Sequence, residues 1–281
     1  MPGLVPYLKK LRSGFRLLRT ALHLFWAVLS ALCVFPLAST GLRRKLKGRW
    51  SRQLFAMLGV RVRLAGSPPR SGLLVANHIS WLDIYAINAM VPTNFVAKSD
   101  VLRWPLIGWL SRQAETIFLD RGSRTAVMRA KEQLVSELRQ GSCIGVFPEG
   151  TTTRGRGVLP FHSALFQSAI DAAVPVTPIV IRYTDGQGQP STLPAYVDET
   201  TLWQCLLSIV GSGGLTAWVV FMPAVDAAGW ERRSLAQHTH GMVDRHLAKL
   251  AASSTPGPKP KPSAKLRKES LPKTRASSVA L

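Results

Sequence analysis

Between Arg19 and Arg43 the chain carries no charged side chain: "TALHLFWAVLSALCVFPLASTGL" runs uninterrupted between two basic flanks. Such a stretch meets the roughly 20-residue length that an α-helix needs to cross a bilayer. His23, Ser30 and Pro36 make it an imperfect span, and basic residues on both sides blur the orientation signal. A shallow or re-entrant membrane helix fits it as well as a true span does. A cleaved secretory signal fits less well, because the charged region before it is long and the dense basic run "RRKLKGRW" follows it at once. Membrane anchoring is the expectation.

The charge balance points the same way. The chain has 36 Lys and Arg against 15 Asp and Glu, a formal net charge of +21. Its first acidic residue is Asp83, and fourteen basic residues precede it. Such a chain suits an anionic membrane surface or a nucleic acid. Three cysteines, Cys33, Cys143 and Cys205, lie far apart in apolar settings and form neither a disulfide framework nor a thiolate metal cluster. A reducing, cytosol-facing environment is expected.

At 281 residues, 46% of them hydrophobic, the chain can build one substantial domain with extensions. "RQLFAMLGVRVRLAG" passes from a short helix into a strand. "LLVA", "TNFVAKS", "ETIFLDRG", "SCIGVFPEG", "VPVTPIVIRY" and "GLTAWVVFMP" read as further strands. Helical spacing appears in "SWLDIYAINAM", "WPLIGWLSRQA", "SALFQSAIDAA" and from about Ser234 to Leu250. The clearest amphipathic helix is "SRTAVMRAKEQLVSELRQG", with Ser123 to cap its start and Gly141 to end it. Strands alternating with helices predict an α/β layered domain. The Pro-, Ser- and Lys-rich stretch 251–281 reads as a disordered basic tail.

His78, Arg121 and Glu149 each fall at or just past the C-terminal end of a predicted strand, the edge along which α/β sheets form their ligand crevice. Within one helix, residues five apart point about 140° away from each other. His78 and Asp83 can therefore meet only if His78 sits in the turn before the helix and Asp83, about one turn in, reaches back. The carboxylate would then fix the imidazole tautomer and leave the other nitrogen free as a base. No Gly-x-Ser-x-Gly elbow occurs. A His–Asp pair without a protein nucleophile suits deprotonation of a hydroxyl on the substrate itself. Arg121, with Arg154 and Arg156 in the Gly-rich loop, would supply donors for a phosphate.

Four segments carry a resemblance. Asn77-His78-x-x-x-x-Asp83, Phe118-Leu119-Asp120-Arg121, Phe147-Pro148-Glu149-Gly150-Thr151 and Val174-Pro175-Val176-Thr177-Pro178 are similar to the four ordered blocks of the glycerolipid acyltransferase family, which includes the 1-acylglycerol-3-phosphate acyltransferases. The likeness covers about Leu54 to Pro223. It implies a catalytic His78 oriented by Asp83, an acceptor phosphate held by Arg121, and an acceptor site shaped by Glu149, Gly150 and Thr151. It also places Lys98, in "FVAKSDVLRWPLIGW", near the acceptor headgroup. Many members carry Arg directly after Pro-Glu-Gly-Thr, where this chain has Thr152, with Arg154 two positions on. "PEGTTT…VLPFHSALF" also resembles the branch that acylates lyso-ornithine lipids, whose acceptor has no phosphate.

The expected protein is a membrane-bound O-acyltransferase of α/β fold, with a layered domain and a mixed central sheet flanked by helices. A basic N-terminal region (1–52) would carry a membrane helix at about 20–42, followed by the acyltransferase domain (53–250) and the tail (251–281). The donor would be acyl-CoA or an acyl carrier protein thioester, with no further cofactor. The acceptor would be a membrane lysolipid, most simply 1-acyl-sn-glycerol-3-phosphate. The domain would face the cytoplasm from the inner or plasma membrane. His238, His240 and His246 do not share a helix face, so no metal site is expected. Nucleic acid is not expected either, because it would leave His78 and Asp83 unexplained.

Overall fold

The computed structural model describes residues 4–120 and 122–252. Arg121 and the tail from residue 253 lie outside the described residues.

The chain opens with α1 (Leu4–Cys33), a 3₁₀ turn at Phe35–Leu37 and α2 (Thr40–Leu58). Then come β1 (Val60–Ala65), β2 (Gly72–Ala76), α3 (Leu82–Met90), β3 (Asn94–Lys98), α4 (Pro105–Gln113), β4 (Ile117–Leu119), α5 (Arg124–Arg139) and β5 (Cys143–Val146). The remainder is α6 (Phe166–Ala172), β6 (Val176–Asp185), α7 (Leu202–Gly211), β7 (Leu215–Phe221) and α8 (Arg232–Ala252). Seven strands form one sheet in the order β1-β7-β6-β2-β5-β3-β4. Strand β2 runs parallel to both β5 and β6, and β3 parallel to β5 and β4. Strand β7 is antiparallel to β6 and parallel to β1, so the sheet is mixed.

Successive residues of a strand face opposite sides of the sheet, so a strand buried on both faces reads as a continuous apolar run. That accounts for "LLVA". Leu74 and Ala76 join a core with Leu54, Phe55 and Leu58 of α2, Leu82 and Ile87 of α3, and Ile209 of α7. Leu73 and Val75 join the opposite core with Leu134 and Leu138 of α5, Phe166 of α6 and Leu235 of α8. Helix α5 starts and stops where the sequence places it: Ser123 Oγ accepts from the Ala126 N–H, and Gly141 takes a left-handed φ of 80° just past its end.

The N-terminal region departs from expectation. In place of one membrane helix over about 20–42, α1 begins at Leu4 and stops at Cys33. Pro36 has no N–H to continue it, and the residue before a proline is pushed out of helical geometry. Ser39 then caps α2 by accepting from the Leu42 N–H. The boundary expected at 52/53 falls inside α2, which carries "RRKLKGRW" as well as core residues. Residues Lys10–Cys33 of α1 are long and apolar enough to cross a membrane. Leu8, Leu11, Phe15, Leu18, Leu22, Phe25, Leu29 and Leu32 recur three and four apart and are all exposed, forming one unpartnered apolar stripe. The arginines of α1 turn inward instead. Arg12 donates to the Ser212 carbonyl (3.0 Å) and Arg16 to the Val210 carbonyl (2.8 Å), satisfying the carbonyls at the end of α7.

Helix α7 is absent from the sequence reading. "LWQCLLSIVG" is apolar nearly throughout, so it shows no polar face to mark its period. Its legible signal was the capping box, in which Thr201 and Gln204 bond each other's backbone N–H groups.

Candidate active site

Strand β2 ends at Ala76, and the buried Asn77 then imitates one more rung of sheet. Its amide donates to the Ile181 carbonyl (3.0 Å) and accepts from the Ile181 N–H (2.7 Å). With the ladder closed by a side chain, the backbone is free to turn, and His78 sits in that turn. Helix α3 starts at Leu82, so Asp83 occupies its first turn and reaches back. The His78 Nδ1–H donates to Asp83 Oδ2 at 2.9 Å, and among the described residues Nε2 has no hydrogen-bond partner.

A fully buried carboxylate needs compensation, and Asp83 has it from every side. Its Oδ2 also accepts from the N–H groups of Ile79 (2.7 Å) and Ser80 (2.9 Å), and its Oδ1 accepts from the Tyr183 hydroxyl (2.7 Å). The His78 side chain keeps 18% exposure while that of Asp83 has none, so the ring is open to solvent and the carboxylate is not.

The segment 147–153 frames the histidine. Phe147 stacks on the imidazole, with ring centroids 3.9 Å apart and planes 11° from parallel. The His78 N–H donates to Glu149 Oε1 (2.7 Å), and the Thr153 N–H donates to the His78 carbonyl (2.8 Å). The second Glu149 oxygen accepts from the Leu159 N–H (2.8 Å). Burial pushes the Glu149 carboxyl above the usual range, and the two backbone donors pull it partly back. Gly150 follows in a left-handed turn (φ 72°), with its N–H on the Phe147 carbonyl; a Cβ there would sit 3.1 Å from the His162 ring.

Residues 151–154 border a cavity of about 390 Å³ closed on the other side by Tyr196, Val197 and Asp198. The Tyr196 N–H donates to the Ile79 carbonyl (2.9 Å), which ties that wall to the His78 turn. Arg154 pairs with Asp198 at 2.6 Å, both exposed. Lys98 is exposed at the C-terminal end of β3, the same sheet edge. Among the described residues, no group of three His, Cys, Asp or Glu could hold a metal ion. His240 lies against the Phe161 ring and the Val158 carbonyl, and His238 against Trp230.

A family model described as Acyltransferase matches residues 60–182. Over 171 residues the chain is 40% identical to the 1-acyl-sn-glycerol-3-phosphate acyltransferase of Neisseria gonorrhoeae, covering 61% of this chain and 67% of that one. Over 214 residues it is 34% identical to the lyso-ornithine lipid O-acyltransferase of Pseudomonas aeruginosa, covering 76% and 82%. The chain belongs to the acyltransferase family.

The crystal structure of the 1-acyl-sn-glycerophosphate acyltransferase PlsC from Thermotoga maritima has the same fold, with a TM-score of 0.63 at 24% identity over 88% of this chain and 99% of that one. In this acyltransferase the structure brings His78, Asp83, Glu149, Gly150 and residues 151–154 together on one sheet edge, with Lys98 at a neighbouring strand end. Sequence reasoning missed Tyr183, Tyr196 and Asp198. Tyr183 alternates with Ile181 and Ile179 along β6, which marks its face of the sheet. Its partner lies 100 residues away, which no local pattern reveals.

Proposed function

We propose that this acyltransferase moves a fatty acyl group from a thioester, acyl-CoA or an acyl-acyl carrier protein, to the hydroxyl of a lysolipid at a membrane surface. The carrying observation is the His78 ring, fixed through Nδ1 on a buried carboxylate and stacked on Phe147 while it stays partly exposed. In this reading Nε2 takes the acceptor hydroxyl proton as the oxygen attacks the thioester carbonyl. The carbon–sulfur bond then breaks, and the leaving thiolate recovers the proton from the imidazolium. The nearby hydroxyls have other duties. Ser80 is fully buried and accepts from the Leu82 N–H, and Thr153 donates to the His78 carbonyl, which favours direct transfer without an acyl-enzyme. No cofactor beyond the thioester enters.

Glu149, expected to help shape the acceptor site, acts in this reading as a positioning residue, since both its oxygens are engaged by backbone and it is buried. Thr151 and Arg154 face the acceptor cavity. Lys98 and Arg121 would add positive charge for a phosphate. The exposed stripe of α1 would rest in the bilayer, with the crevice on its cytoplasmic side.

The first reading of the acceptor is 1-acyl-sn-glycerol-3-phosphate, giving phosphatidic acid, as named for the neisserial relative. A second reading, lyso-ornithine lipid, is favoured by the Arg154–Asp198 pair. A carboxylate beside the arginine offsets the charge that a phosphate needs, and it suits a headgroup carrying both an ammonium and a carboxylate. Mass spectrometry of products from the purified protein offered both acceptors in equal amounts tests the choice. Phosphatidic acid alone supports the first reading, acylated ornithine lipid alone the second, and neither product overturns the proposal.

A further inference from the structure

We propose that Tyr183 is a positioning residue for the reaction: its hydroxyl, donated from β6 to Asp83 Oδ1, sets the direction of that carboxylate and, through it, of the His78 ring. The inference rests on the general-base reading of His78.

The geometry leaves the Tyr183 hydroxyl one partner, Asp83 Oδ1 at 2.7 Å, in a setting where Tyr183 is 2% exposed and Asp83 not at all. The other carboxylate oxygen already takes three donors, from His78 Nδ1 and the N–H groups of Ile79 and Ser80. Tyr183 is therefore what holds Oδ1 and prevents the carboxylate from rotating about its bond to Cβ. It stands on β6, in register with Ala217 of β7, so the pair is tied to a strand and not only to the turn that carries His78. A phenol beside a carboxylate in a dry site stays neutral and donates. Burial, reinforced by the Asp83 charge, pushes Tyr183 well above the usual phenol range.

The test is Tyr183→Phe in the full chain, which keeps the ring and removes only the donor. We expect kcat to fall about tenfold and the acceptor KM to hold within about twofold. Fluorinated tyrosine at position 183, which keeps a donor of nearly the same shape, should hold kcat near wild type. Thr184→Val, which removes a buried hydroxyl from the next position of the same strand, should leave kcat in place. In an Asp83→Asn background the Tyr183→Phe loss should largely vanish, because neighbours that act as a unit are not additive. Tyr183 is merely structural if kcat and the acceptor KM change together in the phenylalanine variant, if the fluorinated variant loses as much, or if the two substitutions add. If His78→Ala keeps its turnover, the general-base reading fails as well, and the two failures are told apart.

Discussion

The two edges of the sheet each bury an ionisable group, and they finish the task differently. At the N-terminal edge, Lys47 of α2 points its ammonium at Asn94 Oδ1 (2.7 Å), the Ala114 carbonyl (2.9 Å) and Glu115 (3.5 Å). Two hydrogen bonds and one ion pair tie α2 to the starts of β3 and β4, and each contact of the ammonium is made to the protein itself. At the C-terminal edge, Asp83 accepts hydrogen bonds on both oxygens, and one of its donors is an imidazole whose second nitrogen has no hydrogen-bond partner among the described residues. The first arrangement can only hold; the second holds and retains a basic site. Perturbed or buried ionisable groups mark function only where such a vacancy exists.

The contrast breaks most sharply at His78. His78→Ala should cut kcat by about 100-fold or more in a protein that still folds, measured on purified protein by thioester consumption and thermal unfolding. A trapped acyl adduct would contradict direct transfer. Glu149→Gln comes next. The amide has the same shape but presents an N–H to a backbone N–H, at a cost of about 1–2 kcal/mol, so kcat should fall roughly tenfold. The acceptor KM is the sharper readout, because a residue that touched the acceptor would raise it and one that holds His78 would not. Smallest in activity should be Lys47→Met, which strands Asn94 and Glu115. Unfolding in denaturant should show a loss of about 2–3 kcal/mol while kcat per folded molecule stays near wild type. A fall in kcat there would mean that the two edges communicate.

How legible these edges were depends on the range of their contacts. The His78–Asp83 meeting could be read, because five residues and one helix start settle it. The strands could be read too, since β2, β5 and β6 announce themselves as apolar runs. The fate of "RRKLKGRW" could not. As an isolated basic run it suggests a solvated or lipid-facing flank, yet Arg44 donates to Ser142 Oγ (2.9 Å) and Lys47 is buried. Residues three apart share a helix face, so the pattern was present, but only a reader who knew that the helix runs through Thr40–Leu58 could apply it. Tyr183 and the Arg154–Asp198 pair depend on which strands lie adjacent, and adjacency in this sheet follows the order β7-β6-β2-β5, not the order of the chain.

The inward arginines of α1 have a mechanical consequence. Anchors joined to their enzyme by a slack linker let the catalytic body tumble above the lipid and meet it at many angles. Here the guanidinium groups of Arg12 and Arg16 grip the last carbonyls of α7, while the opposite face of the same helix is the one that lipid would wet. Peeling α1 away would strip α7 of those donors, so α1 behaves as a strut. With its apolar stripe in lipid as proposed, the tilt of the crevice toward the bilayer would be decided when the chain folds, before any lipid arrives.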